Sequence, residues 1–238
     1  SSGIHAPETR EWILGALYLP VFLFFLNFAI LTYFPALGFP LTEPRNYFFA
    51  NLLYMTVNFA VMLLIFRRTL WQSLREFEGK MLLSVLIGFG MCYGANLVLT
   101  TAYTVLDIMP ENYNQEAVNS LLGGYPLAMT LCTVVLAPLA EECLFRGVLF
   151  APLARRCLPA GYALSMFLFA GMHVFQFLGS MTAANTILCL SLYLPASFSL
   201  CWVYQKTGNI WACIFLHMFI NFQSVLASLL RSLMQAFL

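Results

Sequence analysis

The sequence has very little charge for its length. Among its 238 residues are 11 Lys or Arg and 10 Asp or Glu, so that 9% are charged while 61% are hydrophobic. A soluble domain has about 25% charged residues, because it needs a solvated surface. The hydrophobic content also excludes a disordered chain, and a net charge of +1 argues against a nucleic-acid partner. An integral membrane protein is the class that remains.

Several other features are missing. The seven cysteines form no C-x-x-C pair and no cluster, which argues against a disulfide framework. There is no internal repeat, and no hydrophilic stretch is long enough for a second domain. We therefore predict one integral membrane domain over residues 1–238, embedded in the lipid bilayer.

Long apolar runs dominate what is present. Stretches of 18 or more apolar residues predict membrane-spanning helices. Seven such stretches predict an all-α, polytopic bundle: Trp12–Phe34, Tyr47–Phe66, Met81–Leu106, Tyr125–Phe150, Gly161–Leu178, Ala183–Tyr204 and Asn209–Leu230. The last 30 residues allow either one long helix or a short helix followed by an eighth element, so that seven or eight spans are expected.

Charges between the spans predict the orientation. Asp107–Gly124, between spans three and four, contains Asp107, Glu111 and Glu116 and no basic residue. The loops after spans two, four and six contain most of the basic residues, and basic loops face the cytoplasm. Their basic residues are Arg67, Arg68, Arg75, Lys80, Arg155, Arg156 and Lys206. The amino terminus is therefore predicted to be cytoplasmic.

Residues 67–80 form a connector between spans two and three that is not long enough to cross the membrane. In it, Leu70, Trp71, Leu74 and Phe77 share one helical face, and charged residues occupy the rest. Such a pattern is typical of a helix that lies along the membrane surface. We predict an interfacial helix over residues 67–80.

Three of the charged residues lie within a predicted span. Glu141, Glu142 and Arg146 belong to the run AEECLFRG in span four. A charge at the bilayer centre costs at least about 2.5–3.5 kcal/mol, so ionisable residues there are candidates for a functional site. Glu142 and Arg146 are four residues apart with the acid first, which favours an ion pair. Glu141 is rotated away by about 100° and needs another partner.

Two histidines extend this candidate site to other spans. His173 lies in span five and His217 in span seven, with Asn221 one turn later. At 1.5 Å per residue, Glu141, His173 and His217 each lie about 12–18 Å from the cytoplasmic end of their span. A carboxylate and an imidazole at one level can bind and deprotonate a water, while His and Asn can donate hydrogen bonds to an oxyanion. The expected site lies between spans four, five and seven, and its chemistry suits amide hydrolysis.

Three motifs resemble those of a known family. Glu141-Glu142-x-x-x-Arg146, Phe169-x-x-x-His173 and His217-x-x-x-Asn221 occur in order on successive apolar spans, with FRG after the acidic pair and TGNIWACIFLHMFIN around the last motif. They resemble the CAAX protease and bacteriocin-processing (Abi) family, which is related to the type II CAAX prenyl endopeptidases. The resemblance covers the predicted protease core, about residues 125–230, and KTGNIW looks like the bacterial members.

This resemblance implies a glutamate-type intramembrane endopeptidase. Glu141 would be the general base, His173 would position the same water, and His217 with Asn221 would form the oxyanion hole. Glu142 and Arg146 would support the site, and Phe169 would line it. The resemblance further implies a bacterial plasma membrane location and a peptide or protein substrate: a prenylated protein, a bacteriocin precursor or a signal-peptide precursor. Two His and a Glu could hold zinc with one open position, but a metal or other cofactor is not favoured, because the spacing is not H-E-x-x-H and Asn is a poor zinc ligand.

Two other classes of function fit parts of the pattern. A membrane protein without catalytic activity, such as a bacteriocin self-immunity factor or scaffold, could use the same pocket to bind a peptide. Intramembrane Glu and His also form proton relays in transporters. The absence of an inverted repeat argues against a transporter. Substitution of Glu141 separates a peptidase from a binding protein, because binding alone does not require a general base.

Overall fold

The protein is an all-helical membrane protein. A computed structural model describes residues 4–236, with side chains through residue 235, and in this part of the chain every regular element is a helix. Nine helices, which we label α1 to α9, run in chain order: Thr9–Ala36, Pro44–Ile65, Arg67–Arg75, Met81–Val105, Tyr113–Gly124, Pro126–Ala154, Leu158–Ser180, Ala183–Thr207 and Ile210–Ala236.

Seven of these helices are long and apolar enough to cross a membrane, namely α1, α2, α4, α6, α7, α8 and α9. They coincide with the seven predicted spans to within a few residues at each end, and the prediction of a multi-pass helical membrane protein is confirmed. The eighth element is not formed in the described residues, because Ile210–Ala236 is one continuous helix. Phe237 and Leu238, the end of the proposed eighth element, lie outside the described residues.

Helix α6 lies at the centre of the bundle. In the most apolar 18-residue stretch of α6, 44% of the residues are buried inside the protein, whereas the corresponding share is 17% in α1 and in α4. Small residues allow this close packing. A Cβ atom on Gly161 at the start of α7 would lie 2.7 Å from the Cβ atom of Ala154 at the end of α6. Any residue larger than glycine at position 161 would therefore push the two helices apart.

Helix α6 is not a regular α-helix throughout. Wider, π-helical turns occupy Cys132–Leu136 and Cys143–Phe150, on both sides of the acidic pair. Pro138 follows the first of them and has no backbone N–H to donate back to Val134, which interrupts the regular hydrogen-bond ladder. Wide turns of this kind occur often at functional sites, because they redirect side chains.

The amphipathic connector forms the short helix α3, Arg67–Arg75, and residues 76–80 continue as a turn. Its predicted apolar face has two environments: Leu70 is buried in the protein core, while the side chains of Trp71 and Leu74 are 64% and 44% exposed. Phe77 packs edge-on against Phe215 of α9. The face therefore belongs partly to the protein core, and contact with the membrane surface remains a prediction for Trp71 and Leu74.

Helix α3 is hydrogen-bonded to two other helices. The Glu11 carboxylate of α1 accepts hydrogen bonds from the backbone N–H groups of Arg68 (2.9 Å) and Thr69 (3.2 Å). Near the other end, the carbonyl of Ser73 accepts from Asn209 Nδ2 at 2.6 Å, and in the middle of the helix the carbonyl of Leu70 accepts from Trp211 Nε1 at 2.8 Å. Because Asn209 directly precedes α9, helix α3 fixes the start of the helix that contains His217.

Candidate active site

Glu142 and Arg146 form a completely buried ion pair on α6. The Arg146 Nη1 atom lies 3.2 Å from Glu142 Oε1, as the four-residue spacing predicts, and both side chains have no exposed surface. The second guanidinium nitrogen donates to the carbonyl and hydroxyl oxygens of Ser197 on α8, each at 3.1 Å. The pair therefore also connects α6 to α8.

His217 connects both acidic residues to α9. Its Nδ1 atom is 2.7 Å from Glu142 Oε1, and its Nε2 atom is 3.7 Å from Glu141 Oε2. An ionised carboxylate only accepts hydrogen bonds, so Nδ1 carries a proton and donates to Glu142. The contact between His217 and Glu142 could not be predicted from the sequence. The sequence indicated that Glu141 and Glu142 point in different directions, but not which helix each of them faces.

Glu141 differs from its neighbour in environment, as its rotation along the helix predicts. Its side chain keeps 12% exposure, whereas that of Glu142 has none. Within the described part of the chain its Oε2 atom is buried and accepts no hydrogen bond. The His217 Nε2 atom lies 3.7 Å from it. A buried acceptor without a hydrogen bond is available to a water or to a substrate amide.

Phe169 is the packing centre of the site. This buried side chain of α7 places its ring 4.9 Å from the Arg146 guanidinium carbon, 4.9 Å from the His173 ring and 5.6 Å from the His217 ring. The position over Arg146 gives a cation–π contact. Phe169 thus holds apart two imidazoles that belong to different helices, a more central position than the sequence indicated.

His173 is oriented by its own helix. Its Nδ1 atom lies 2.8 Å from the Phe169 carbonyl oxygen. A carbonyl can only accept, so Nδ1 is protonated and Nε2 is left as an acceptor, the form that can position a water. Within residues 4–236 no direct hydrogen bond or ion pair joins His173 to Glu141, so that contact between them would require a bridging water.

Asn221, one turn after His217 on α9, uses one of its amide hydrogens in a contact with α6. Its Nδ2 atom donates to the Thr133 carbonyl on α6 at 2.8 Å. Thr133 belongs to the first π-helical turn of α6. The second amide hydrogen is free for another acceptor, and the role in an oxyanion hole remains a prediction.

The structure adds a residue that the sequence analysis missed. The ring of Tyr193, on α8, stacks on the His173 ring with centroids 4.5 Å apart and an angle of 20° between the planes. No motif includes Tyr193, and the apolar composition of α8 hides a single aromatic side chain among many.

A metal site is not evident in the described residues: no three or more His, Cys, Asp or Glu side chains are arranged to hold an ion. Asn221 also uses its amide in a protein contact. The absence of a cofactor remains a prediction.

Two cavities lie away from the candidate site. One of about 670 Å³ lies at helix ends near Lys80, Lys206 and Asn209, and another of about 490 Å³ lies near Arg231. None of the predicted site residues lines either cavity.

Comparison with known proteins agrees with the motifs. Residues 123–223 match the family described as Type II CAAX prenyl endopeptidase Rce1-like. The predicted family resemblance is therefore confirmed. The matched region contains all seven residues of the predicted site and does not include α1 to α4.

A Bacillus subtilis (strain 168) protein described as "Putative membrane peptidase YdiL" is 28% identical over 166 residues, which cover 68% of this chain. The alignment spans 64% of the relative's own length. No solved structure matches. The similarity to the CAAX endopeptidases therefore rests on the sequence of the region that forms the site.

Proposed function

We propose that this chain is an intramembrane endopeptidase that hydrolyses a peptide bond by a glutamate-type mechanism without a metal ion. The observation that carries the proposal is the meeting of Glu141, Glu142 and His217 in the interior of the bundle, beside Phe169 and His173. Burial of so many ionisable groups is costly in a membrane, and a reaction that uses them accounts for that cost. The similarity to the CAAX endopeptidases favours the same class of reaction.

Each site residue has a role in this mechanism. Glu141 removes a proton from a water, and the resulting hydroxide attacks the carbonyl carbon of the peptide bond. His173, through Nε2, accepts a hydrogen bond from the same water and positions it. Asn221 donates a hydrogen bond to the oxyanion of the tetrahedral intermediate through its second amide hydrogen, and His217 donates through Nε2 in its doubly protonated form, with Nδ1–H still on Glu142. When the carbon–nitrogen bond breaks, Glu141 returns its proton to the departing amine.

The supporting residues determine the direction of His217. Glu142 accepts the Nδ1 proton, and Arg146 holds Glu142 in place through their ion pair. The Nε2 atom is thereby directed toward Glu141 and the reacting groups. The two acids are thus proposed to divide their work, with one in proton transfer and the other in orientation.

The proposed substrate is a peptide or protein that reaches the site within the membrane, either prenylated or the precursor of a bacteriocin or signalling peptide. We place the protein in a bacterial plasma membrane with its amino terminus in the cytoplasm. The distribution of basic residues between the loops supports this orientation.

Mass spectrometry of membrane and secreted peptides tests the proposal. A strain with Glu141→Gln should accumulate an uncleaved precursor that the wild type processes. The matched control is Glu116→Gln, the same chemical change at an exposed residue of α5, and it should behave as the wild type. With the purified protein in liposomes, Glu141→Gln should lower kcat by about 10²–10⁴-fold, the usual contribution of a general base.

Three results would contradict the proposal or part of it. Cleavage at the wild-type rate by both Glu141→Ala and His173→Ala would exclude the mechanism. A biological phenotype that persists in Glu141→Gln, with no precursor accumulating, would favour a peptide-binding protein. Activity that survives strong chelators would support a mechanism without a metal ion. If chelators abolish the activity and zinc restores it, that mechanism is excluded.

A further inference from the structure

The stack between His173 and Tyr193 connects the candidate site to residues at the start of α5. The two rings are nearly parallel, with centroids 4.5 Å apart. The hydrogen bond from His173 Nδ1 to the Phe169 carbonyl restrains one edge of the imidazole, and the tyrosine covers one of its faces. Together these contacts fix the direction in which Nε2 points.

The hydroxyl group of Tyr193 is held by two residues at the start of α5, Asn112 just before the helix and Asn114 in its first turn. It donates to Asn112 Oδ1 at 3.0 Å and accepts from Asn114 Nδ2 at 3.2 Å. Since its only hydrogen is already donated to Asn112, this hydroxyl is not available to protonate a substrate. A role for Tyr193 in the reaction must therefore be geometric.

Asn112 also organises α5. Its Oδ1 atom accepts from the Gln115 backbone N–H at 3.1 Å and caps the first turn of the helix. Next to it, the Glu111 backbone exchanges two hydrogen bonds with the Asn185 side chain of α8, at 2.9 and 3.0 Å. The segment that holds Tyr193 is thus fixed to the same helix that contains Tyr193.

At its other end, α5 is attached to α9. Ser228 of α9 donates to Asn119 Oδ1 at 2.6 Å. Helix α5 therefore connects α8, whose tyrosine contacts His173, with α9, which contains His217. Polar contacts of this kind can keep the two histidines in register although they lie on different helices.

We propose that Tyr193 is the positioning residue of His173 and that Asn112 and Asn114 hold it in place from outside the membrane-spanning helices. The inference rests on the proposed peptidase function for its effect on rate. Its structural part, the fixed imidazole, does not depend on that function.

Nuclear magnetic resonance of the three histidines tests the structural part without a substrate. His5, His173 and His217 are the histidines of the chain, so protein labelled with ¹³C-histidine in detergent micelles gives few ring signals. The His173 signal is the one lost in His173→Gln. Tyr193→Phe should keep most of the ring-current shift of that signal, whereas Tyr193→Leu should remove the contribution of residue 193 and leave that of Phe169, because leucine has no aromatic ring.

Kinetics test the positioning role, with the precursor that accumulates in the Glu141→Gln strain as the probe. Tyr193→Leu should lower kcat by about 10–100-fold and change KM little, since a misplaced group costs rate more than binding. Tyr193→Phe should lie between Tyr193→Leu and the wild type, because its ring can still stack on His173 but has no hydroxyl for Asn112 and Asn114 to hold. The matched control is Tyr103→Leu on α4, because the Tyr103 hydroxyl bonds to Ser191 of the same helix α8, at 2.6 Å.

A second variant covers the case in which Tyr193→Leu does not fold. Asn112→Ser keeps a good helix cap but shortens the side chain that reaches Tyr193. It should shift the His173 signal and lower kcat, in the same direction as Tyr193→Leu and by a smaller factor.

The outcomes separate this inference from the proposed function. If the His173 signal is unchanged in Tyr193→Leu, the inference that the two rings stack is wrong. A changed signal with a wild-type kcat overturns the positioning role. If the wild type cleaves no peptide, the proposed function fails, and the histidine spectrum alone then decides whether Tyr193 holds the ring.

Discussion

Glu142 has two partners in the buried cluster, Arg146 and His217. Buried ion pairs are weak evidence for stability, because the loss of hydration offsets much of the attraction. Removal of one member is nevertheless costly, since it leaves the other charge buried alone. The pair is thus better understood as a device that fixes the direction of His217 than as a source of stability.

Substitution of Glu142 should therefore affect both stability and activity. Glu142→Gln leaves the Arg146 charge without its carboxylate, and loss of a buried partner costs about 3–5 kcal/mol. We expect a lower Tm in detergent together with a lower kcat, and no change in Glu116→Gln. If activity is lost while Tm stays at the wild-type value, Glu142 takes part in the reaction and the division between the two acids is wrong.

Phe169 allows a test of packing against both imidazoles. Phe169→Leu removes the ring beside His173, His217 and Arg146 but keeps the backbone carbonyl that orients His173. We expect a stability loss of about 1–2 kcal/mol and a reduced kcat. The control is Phe145→Leu, because this buried ring packs on Phe169 at 5.3 Å. It should lose similar stability and keep most of the activity, and equal rate losses in both variants would argue against a specific role for Phe169.

The sequence predicts contacts within one helix better than contacts between helices. The Glu142–Arg146 pair follows from a spacing of four residues. The contacts from His217 to Glu142 and from Tyr193 to His173 join residues on different helices, and these depend on how the helices rotate and pack. Depth in the membrane indicated which residues share a level but not which side chains touch.

Helix α3 joins α1 and α9 although it crosses no membrane. Glu11 of α1 bonds to N–H groups at its start, and the residues at the start of α9 bond to carbonyl groups near its end. Free backbone groups at helix ends need such partners. Asn209 is the key residue, because it bonds to Ser73 of α3 and its Oδ1 atom accepts from the Trp211 backbone N–H at 2.9 Å.

Variants of Asn209 should lose stability in steps. Asn209→Ser keeps a capping oxygen but loses the donor to Ser73, whereas Asn209→Ala loses both. We expect Asn209→Ala to lose about 1–2 kcal/mol and Asn209→Ser to lie between it and the wild type. Hydrogen exchange should increase at the amides of residues 67–75 in the same order. Equal stability of the wild type and Asn209→Ala would show that α3 does not fix α9.

The seven spans could be predicted because a membrane requires long apolar helices, and no other element satisfies the backbone in lipid. The helix Tyr113–Gly124 was not foreseen, although Asn112 before it is a standard capping residue. The π-helical turns around the acidic pair could not be located either. Pro138 indicates an irregularity nearby, but tertiary packing determines how the chain absorbs it.

The ends of the bundle differ in charge. Basic residues lie at the end of α6 and between α2 and α4, whereas the segment before α5 contains Asp107 and Glu111. If the basic end is cytoplasmic, the polar contacts around Tyr193 face the outside of the cell. The orientation therefore decides on which side of the membrane the contacts to the two histidines are exposed.

The cysteines provide a test of this orientation without an added tag. Cys157, between α6 and α7, is exposed, whereas the other six cysteines are buried. A maleimide that cannot cross membranes should leave intact cells unlabelled and should label inverted membrane vesicles. Cys157→Ser should abolish that labelling. In the Cys157→Ser background, Ser120→Cys on the exposed side of α5 should instead be labelled in intact cells. Labelling of Cys157 from outside would invert the topology and place Tyr193 and its asparagines toward the cytoplasm.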